Sequence, residues 1–102
     1  MSDDLSFEWD DAKRQQTIIK HGLDFAEVVE IFKTTGPTWK SSHTTEERWV
    51  AIGRLHNLEI AVIYTIRNGC VRIVTARRAR TNERKAYNAY IVDRCIGPKG
   101  TI

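Results

Sequence analysis

Residues 48–77 contain three successive runs in which apolar and polar positions alternate. A period of two is typical of β-strands, because successive side chains point to opposite faces of a sheet. The runs predict strands over Arg48–His56, Leu58–Arg67 and Cys70–Arg77. Asn68-Gly69 is the favoured type I′ hairpin sequence, and the preceding turn falls at either His56-Asn57 or Asn57-Leu58. Two antiparallel hairpins are therefore expected to follow one another.

A two-residue loop at Asn68-Gly69 sets the register of the second hairpin. The predicted pairs are Arg67 with Cys70, Thr65 with Arg72 and Tyr64 with Ile73. If His56-Asn57 forms the first turn, the pairs there are Leu55 with Leu58 and Arg48 with Thr65.

Strict alternation along these strands assigns every residue to one of two sheet faces. The face predicted to meet the core comprises Trp49, Ala51, Gly53, Leu55, Leu58, Ile60, Val62, Tyr64, Ile66, Val71, Ile73 and Thr75. The other face comprises Arg48, Val50, Ile52, Arg54, Glu59, Ala61, Ile63, Thr65, Arg67, Arg72, Val74 and Ala76. Arg48, Arg67 and Arg72 should cluster at one end of this second face. The same alternation places Arg77 at the core-side edge, near the last helix.

The N-terminal half of the chain predicts a short strand and two helices. Leu5–Trp9 alternates as a strand, Asp10 is a suitable N-cap, and a helix should run from Asp11 to His21 until Gly22 stops it. Asp24 caps a second helix. Its core-facing stripe follows the i, i+3, i+4, i+7 rule through Phe25, Val28, Val29 and Phe32.

The remaining segments complete a single domain of residues 1–102, with an ordered core over about 5–94 and a tail over 95–102. Thr38–Glu47 reads as an edge strand followed by a loop. Thr81 can cap a final helix over Asn82–Asp93. The expected fold class is α+β, an antiparallel sheet of about four strands with the two N-terminal helices on one face and a C-terminal helix.

Charge is distributed unevenly along this 102-residue chain of net charge +3. Residues 1–30 hold eight acids and three bases, whereas residues 31–102 hold five acids and thirteen bases. Such separation suits a basic face that binds a polyanion, although a solvated surface without a partner has the same composition. The longest apolar run, residues 60–64, is too short to cross a membrane. No apolar signal segment follows the acidic N-terminus, so a cytoplasmic protein is expected, with Cys70 and Cys95 as reduced thiols.

Arginines gathered on one sheet face repel one another unless an anion joins them, and RNA is the anion that we predict. Cleavage of RNA needs no metal ion or cofactor if a base accepts the proton of the 2′-hydroxyl and cations stabilise the charged transition state. His21 is the candidate base, because histidine is a natural general base or acid, with Lys13 or Lys20 as electrostatic support. His21 could equally be a helix C-terminal residue that the helix dipole favours.

Several short motifs together resemble the BrnT family of type II toxins. They are Phe7-Glu8-Trp9-Asp10, Lys13, Lys20-His21-Gly22, Phe25 with Glu27, Glu46 with Arg48-Trp49, Gly53, Thr65 with Arg67, residues 72–77, Ala79, Glu83-Arg84 and Tyr87. The resemblance spans Phe7 to Tyr87. The chain departs from it at Thr17, where relatives are expected to carry asparagine, and this change would affect a helix cap or a substrate contact.

The resemblance implies a fold similar to RelE-type ribonucleases and a metal-independent endoribonuclease that inhibits translation. It also implies a cognate BrnA-like antitoxin with a DNA-binding domain, through which alone the toxin would reach operator DNA. The predicted catalytic residues are Lys13, His21, Arg67, Arg72 and Tyr87. The predicted RNA-binding residues are Lys20, Arg48, Arg54, Arg77 and Arg78, with Glu83 as an orienting partner.

Other interpretations of the same residues stay open. Tyr87 could simply pack against the sheet, and Arg77 could form a structural ion pair with Glu83. The alternative function is a non-catalytic module that binds RNA or its partner and acts as a co-repressor with the antitoxin. A repressor that binds DNA alone is disfavoured, because the sequence has no helix-turn-helix pattern.

Overall fold

The computed structural model describes residues 6–34, 36–41 and 47–96. The elements in chain order are β1 (Ser6–Trp9), α1 (Asp11–His21), α2 (Phe25–Val28), a 3₁₀ helix (Val29–Lys33), β2 (Thr38–Ser41), β3 (Arg48–Leu55), β4 (Leu58–Arg67), β5 (Cys70–Arg78) and α3 (Thr81–Ile96). The predictions for Leu5, for the loop at 42–46 with Glu46, for the Cys95 thiol and for the tail at 97–102 lie outside the described residues. The fold is α+β, as predicted.

The sheet is mixed, so the expectation of a purely antiparallel sheet was wrong. Five strands lie in the order β1-β5-β4-β3-β2. β1 pairs in parallel with β5, with Ser6 opposite Cys70 and Glu8 opposite Arg72. No hairpin ties β1 to its neighbour. β1 could therefore pair with the sheet edge in parallel or antiparallel, and the local sequence pattern does not indicate which.

The predicted hairpins are confirmed. Arg67 pairs with Cys70 and Thr65 with Arg72, and Tyr64 pairs with Ile73. Leu55 pairs with Leu58, which selects His56-Asn57 as the first turn. Both residues of each turn have positive φ, 53° and 65° at His56-Asn57 and 52° and 75° at Asn68-Gly69. Positive φ at both positions matches the type I′ geometry that joins strands with a right-handed twist.

A register shift in β5 overturns the predicted face of its C-terminal half. Tyr64 pairs with Ile73 but Ile63 pairs with Thr75, so Val74 is an extra residue between them. A one-residue slip exchanges the faces of all the residues beyond it. Thr75 and Arg77 therefore lie on the second face, opposite Ile63 and Ala61.

The same shift places Ala76 on the core-side face, whereas the sequence predicted it on the second face. Ala76 is fully buried in the main core beside Val62 and Ile73. Strict alternation failed here because residues 73, 74 and 76 are all apolar, so the polarity of this stretch does not reveal which residue is extra.

The caps of α1 and α2 follow the sequence, whereas Thr81, the predicted N-cap of α3, is instead the first residue of that helix. Asp10 accepts a hydrogen bond from the backbone N–H of Ala12 at 2.8 Å, and Asp24 accepts one from Ala26 at 3.0 Å. Gly22 ends α1 at φ 68°, and its N–H donates to the carbonyl of Ile18 at 2.9 Å. α3 begins one residue earlier than predicted, at Thr81, and extends to Ile96.

The second helix was predicted with the wrong period. It is α-helical only over Phe25–Val28 and continues as a 3₁₀ helix. Its buried stripe is Phe25, Val28 and Ile31, a spacing of three, whereas Val29 and Phe32 are only partly buried. A 3₁₀ helix has three residues per turn, so it aligns positions i, i+3 and i+6.

Apolar clusters cover both faces of the sheet. The main core joins the stripe of α2 and the 3₁₀ helix to the sheet through Ile60, Val62 and Ile73. The second cluster comprises Val50, Ile52, Ala61 and Ala79, with Trp39, Ile63 and Tyr87 packed against it. α3 thus packs on the second face, whereas α2 packs on the first.

Close packing between the 3₁₀ helix and β3 depends on Gly53. A Cβ atom at Gly53 would lie 2.5 Å from Cγ2 of Ile31 and 3.1 Å from its Cγ1. Real Cβ atoms do not approach other carbons so closely, since the overlap is strongly repulsive. The absent side chain at this position lets the buried Ile31 pack directly on the strand.

Substitution Gly53→Ala should lower the free energy of unfolding by about 1–3 kcal/mol, the usual cost of overpacking a core. Urea denaturation of the folded protein measures this. Ile31→Ala alone also destabilises, because it leaves a cavity, but it removes the atoms with which the new methyl group would collide. The double variant should therefore be more stable than the sum of the two single effects predicts. Strict additivity would contradict the proposed collision.

Asp24 ties α1 to α2 as well as capping the second helix. Arg14 donates to both carboxylate oxygens of Asp24, at 2.8 and 2.9 Å. The hydrogen bonds from Arg14 and from the backbone of Ala26 lower the pKa of Asp24 to about 2. The folded state therefore holds this carboxylate ionised to lower pH than the unfolded chain does.

The lowered pKa of Asp24 predicts how stability depends on pH. Its contribution is complete above the ordinary aspartate pKa of 3.8 and disappears as pH falls through the folded value of about 2. Asp24→Asn keeps a capping oxygen but cannot titrate. Urea midpoints of the two proteins, compared from about pH 6 to about pH 2, should differ most at the upper end and converge below about pH 3. A constant difference across this range would contradict the assignment.

Candidate functional site

A groove of about 500 Å³ crosses the second face of the sheet. We call it the sheet groove, and it is lined by Trp39, Lys40, Ser41, Arg48, Val50, Ile63, Thr75, Arg77, Arg80 and Glu83. Val50 and Ile63 are paired neighbours on adjacent strands, and Trp39 and Thr75 extend their row on either side. The floor is therefore largely apolar, and arginines lie around it.

The arginines flank the floor at two levels of the sheet. Arg48 lies beside Thr65, one step beyond the Trp49–Tyr64 pair, whereas Arg77 pairs with Ala61. The four residue steps from Ala61 to Thr65 span roughly 13 Å of extended strand. Cationic groups thus approach the floor from both ends, an arrangement complementary to an extended anion.

Arg77 is held by Glu83 from the first turn of α3. Its two terminal nitrogens donate to the two carboxylate oxygens at 2.8 and 3.0 Å. Glu83 is only 6% exposed and also accepts from the backbone N–H of Arg80 at 2.7 Å, the return half of a capping box. The bond from Arg77, and then that from Arg80, lower the pKa of Glu83 against the opposing effect of burial. The pair fixes the start of α3 beside the groove.

Arg72 lies at the Arg48 end of the second face, and β1 supplies it with an acidic partner. Arg72 pairs across the sheet with Thr65 and, on its other side, with Glu8. Its Nη1 lies 3.2 Å from Oε2 of Glu8, in an ion pair that is partly exposed. Thr65 is buried and donates to the carbonyl of Glu47 at 2.6 Å. Arg72 is therefore paired with a carboxylate on this face.

A second cavity of about 70 Å³ lies against α1 and adjoins the sheet groove. We call it the α1 cavity, and it is lined by Lys13, Gln16, Thr17, Lys20, His21 and Thr75. Thr75 lines both cavities, so the bulge in β5 brings the basic face of α1 next to the arginines of the sheet. Thr17 is buried here, and its hydroxyl donates to the carbonyl of Lys13 at 2.8 Å.

Other predicted site residues lie apart from this junction. Arg54 is at the opposite end of β3, where it forms a 2.6 Å ion pair with Glu59 that lowers the pKa of that carboxylate. Arg67 is exposed at the end of β4, and Arg78 pairs with Ile60 at the end of β5. Tyr87 packs against the second apolar cluster and does not line either cavity.

The structure adds groove residues that the sequence analysis did not select. Trp39 and Arg80 line the groove, and Glu8 reaches the Arg72 end through the parallel pairing of β1. Arg80 stands out in the sequence only as part of a basic run. The other two depend on strand partners that are distant in the chain, so no local signal identifies them.

Cys70 is a half-buried free thiol beside this face. Burial, and then the neighbouring Glu8, raise the pKa of the Cys70 thiol, which disfavours the reactive thiolate. Among the residues that the structure describes, no three His, Cys, Asp or Glu side chains form a group that would hold a metal ion. Within the same part of the chain, no helix is long and apolar enough to span a membrane.

The fold and the site together define a small α+β domain with a cation-lined groove across one sheet face. A family model for the ribonuclease toxin BrnT of type II toxin–antitoxin systems matches residues 9–83. The chain therefore belongs to the BrnT family of ribonuclease toxins.

The crystal structure of the Brucella abortus ribonuclease toxin BrnT is similar to this protein. The two chains are 31% identical and align with a TM-score of 0.60, over 76% of this chain and 99% of that chain. A comparison with curated proteins gave no match. The family resemblance inferred from the sequence motifs is confirmed.

The Arg77–Glu83 pair should be important for stability as well as for the groove. Glu83→Gln removes the charge that balances a guanidinium only 21% exposed, and should lower the free energy of unfolding by about 2 kcal/mol. Thermal and urea denaturation measure the loss. Glu59→Gln is the matched control, because it breaks an Arg–Glu pair on the same face whose arginine is 53% exposed. A much smaller change is expected there, since solvent screens the charge. Equal losses of unfolding free energy in the two variants would show that the burial of the Arg77–Glu83 pair does not add to its stabilising effect.

Proposed function

We propose that this protein is an endoribonuclease that cleaves RNA without a metal ion and thereby inhibits translation. The observation that carries the proposal is the position of Thr75, which borders both the arginines of the sheet groove and the Lys13 and His21 side of the α1 cavity. Metal-independent cleavage of RNA needs these two kinds of group side by side. Membership of the ribonuclease toxin family supports the same conclusion.

In the proposed reaction, the 2′-oxygen of a ribose attacks the adjacent phosphorus. The bond from the 2′-oxygen to phosphorus forms as the bond from phosphorus to the 5′-oxygen breaks, which leaves a 2′,3′-cyclic phosphate and a 5′-hydroxyl. A base accepts the proton of the 2′-hydroxyl, and an acid returns a proton to the leaving 5′-oxygen. Negative charge accumulates on the phosphoryl oxygens in the transition state, where fixed cations are most effective.

We assign the proton transfers to His21 and Lys13, which share the α1 cavity. A histidine side chain can serve as either base or acid. A lysine ammonium group donates protons and stabilises the charge of the phosphate. Lys20 lines the same cavity and would contact a neighbouring phosphate.

We assign phosphate binding to Arg48, Arg77 and Arg80, which line the sheet groove. Planar guanidinium groups can bind two phosphate oxygens at once. Glu83 acts on the reaction indirectly, by orienting Arg77. Arg72 and Arg67 would extend the positive surface along the RNA from the far end of the second face.

Three predicted site residues receive lesser roles in this proposal. Arg54 and Arg78 would contribute only to the long-range attraction of RNA, because they lie away from the groove lining. Tyr87 supports the site by packing α3 on the second apolar cluster. Its position favours the packing interpretation over direct action on the substrate.

We further propose that a BrnA-like antitoxin with a DNA-binding domain neutralises the protein and carries it to operator DNA. A type II toxin–antitoxin system implies a protein antitoxin, and the family assignment supports this. The toxin acts in the cytoplasm, where its RNA target is translated, and its fold is of the RelE type. Operator binding is expected only in the presence of the antitoxin.

Purified protein should cleave a single-stranded RNA in the presence of excess EDTA, and a 2′-deoxy substrate should stay intact. Substitution His21→Gln should slow cleavage by roughly 10²–10⁴-fold, the usual contribution of a general acid or base. His56→Gln is the control, since His56 is an exposed histidine at a turn, near Glu27. Gel analysis of labelled RNA gives the rates. Equal rates for the two variants would exclude His21 from the chemistry.

A matched pair of arginine variants tests the groove. Arg80→Gln should weaken RNA binding and cleavage, whereas Arg54→Gln removes the same charge from the same face with a smaller effect. Strong salt-dependent binding without any cleavage by the folded protein would instead select the non-catalytic binding module.

A further inference from the structure

The sheet groove has an aromatic wall that phosphate binding alone does not explain. Trp39 is partly buried, pairs with Val50 across β2 and β3, and lines the groove together with Ile63. Phosphates need only the cations, and water solvates them better than an indole ring does. An apolar recess beside arginines instead suits a ligand that is flat and apolar on its faces and anionic along one edge.

We propose that the floor of the sheet groove binds one unpaired nucleobase of the RNA, stacked on Trp39. This inference rests on the proposed function, because it assigns the substrate as single-stranded RNA with a base turned toward the sheet. The phosphates on either side of that nucleotide would contact Arg48 at one end of the floor and Arg77 or Arg80 at the other. Charge complementarity favours RNA over an uncharged ligand, and the groove volume of about 500 Å³ is within the range of small-ligand pockets.

Stacking on an aromatic side chain makes binding tolerant of sequence, because every base presents a π-face. A base paired in a duplex is stacked on both sides and cannot enter the groove without leaving its helix. The groove would therefore select unpaired regions of an RNA. Trp39 is a substrate-binding residue in this proposal and takes no part in proton transfer.

The three tryptophans of the chain make the proposal measurable. Trp9 packs against Phe25 in the main core, and Trp49, which follows Arg48 and precedes Val50, faces that same side of the sheet. Trp39 is the tryptophan that lines the sheet groove. Quenching by a bound base should thus affect the emission of Trp39 specifically.

The test uses a short 2′-O-methyl oligoribonucleotide, which cannot be cleaved, and an abasic oligomer of equal length and charge. The base-containing oligomer should quench the intrinsic fluorescence of the full-length protein, and the abasic one should not. The quench should disappear in Trp39→Phe and persist in Trp49→Phe. Trp39→Ala should weaken binding of the base-containing oligomer by at least about fivefold, with little change for the abasic one.

Three results would overturn the proposal. They are an equal loss of affinity for both oligomers in Trp39→Ala, a quench that persists in Trp39→Phe, and a quench of Trp39 by polyglutamate but not by the oligomer. The last would identify the groove as a site for an acidic protein segment. Circular dichroism of Trp39→Phe, which retains an aromatic ring against Val50, checks folding. Stacking without cleavage would refute the nuclease function alone, whereas cleavage that is insensitive to Trp39 would refute the stacking alone.

Discussion

The candidate site depends on one extra residue in the central hairpin. Up to Ile73, β5 alternates in step with β4, and Val74 then shifts the register by one residue. The shift turns Arg77 from the face of the main core to the face that carries Arg48, and it buries Ala76 in the main core. Without the bulge, Arg77 would pair with Ile60 on the face of the main core, at the position that the exposed Arg78 occupies in this structure, and would not line the groove. Bulges commonly redirect a side chain next to a functional site in this way.

The redirected guanidinium needs a partner, and the start of α3 supplies it. Glu83 accepts hydrogen bonds from Arg77 and from the helix N-terminus at once, so the same carboxylate stabilises the helix and lines the groove. Breaking such a pair is costly because a poorly solvated charge remains. The guanidinium can still interact with an anion on its groove side, since Glu83 occupies only one edge of it. The Arg77–Glu83 pair is therefore important both for the stability of the fold and for the proposed function.

Thr75 marks the point where separate parts of the chain converge. α1 follows β1 directly and contacts β5, the neighbour of β1 in the sheet. This arrangement sets Lys13 and His21 beside the arginines of the sheet groove, although Lys13 and Arg77 are 64 positions apart in the sequence. The proposed reaction combines proton transfer and charge stabilisation at a single phosphate, and the residues assigned to these two tasks line the two cavities that share Thr75.

Much of the local structure follows from the sequence alone. Hairpins, turns and helix caps involve residues that are close in the chain, and their conformational preferences act independently of the rest of the fold. This applies to the two hairpins, to the turns at His56-Asn57 and Asn68-Gly69, and to the caps at Asp10, Gly22 and Asp24. Only the tertiary structure decided the parallel pairing of β1, the 3₁₀ continuation of α2 and the position of the bulge. The polarity of residues 73–76 is compatible with more than one register. The choice among registers is made by distant partners, namely the main core that receives Ala76 and the helix that receives Arg77.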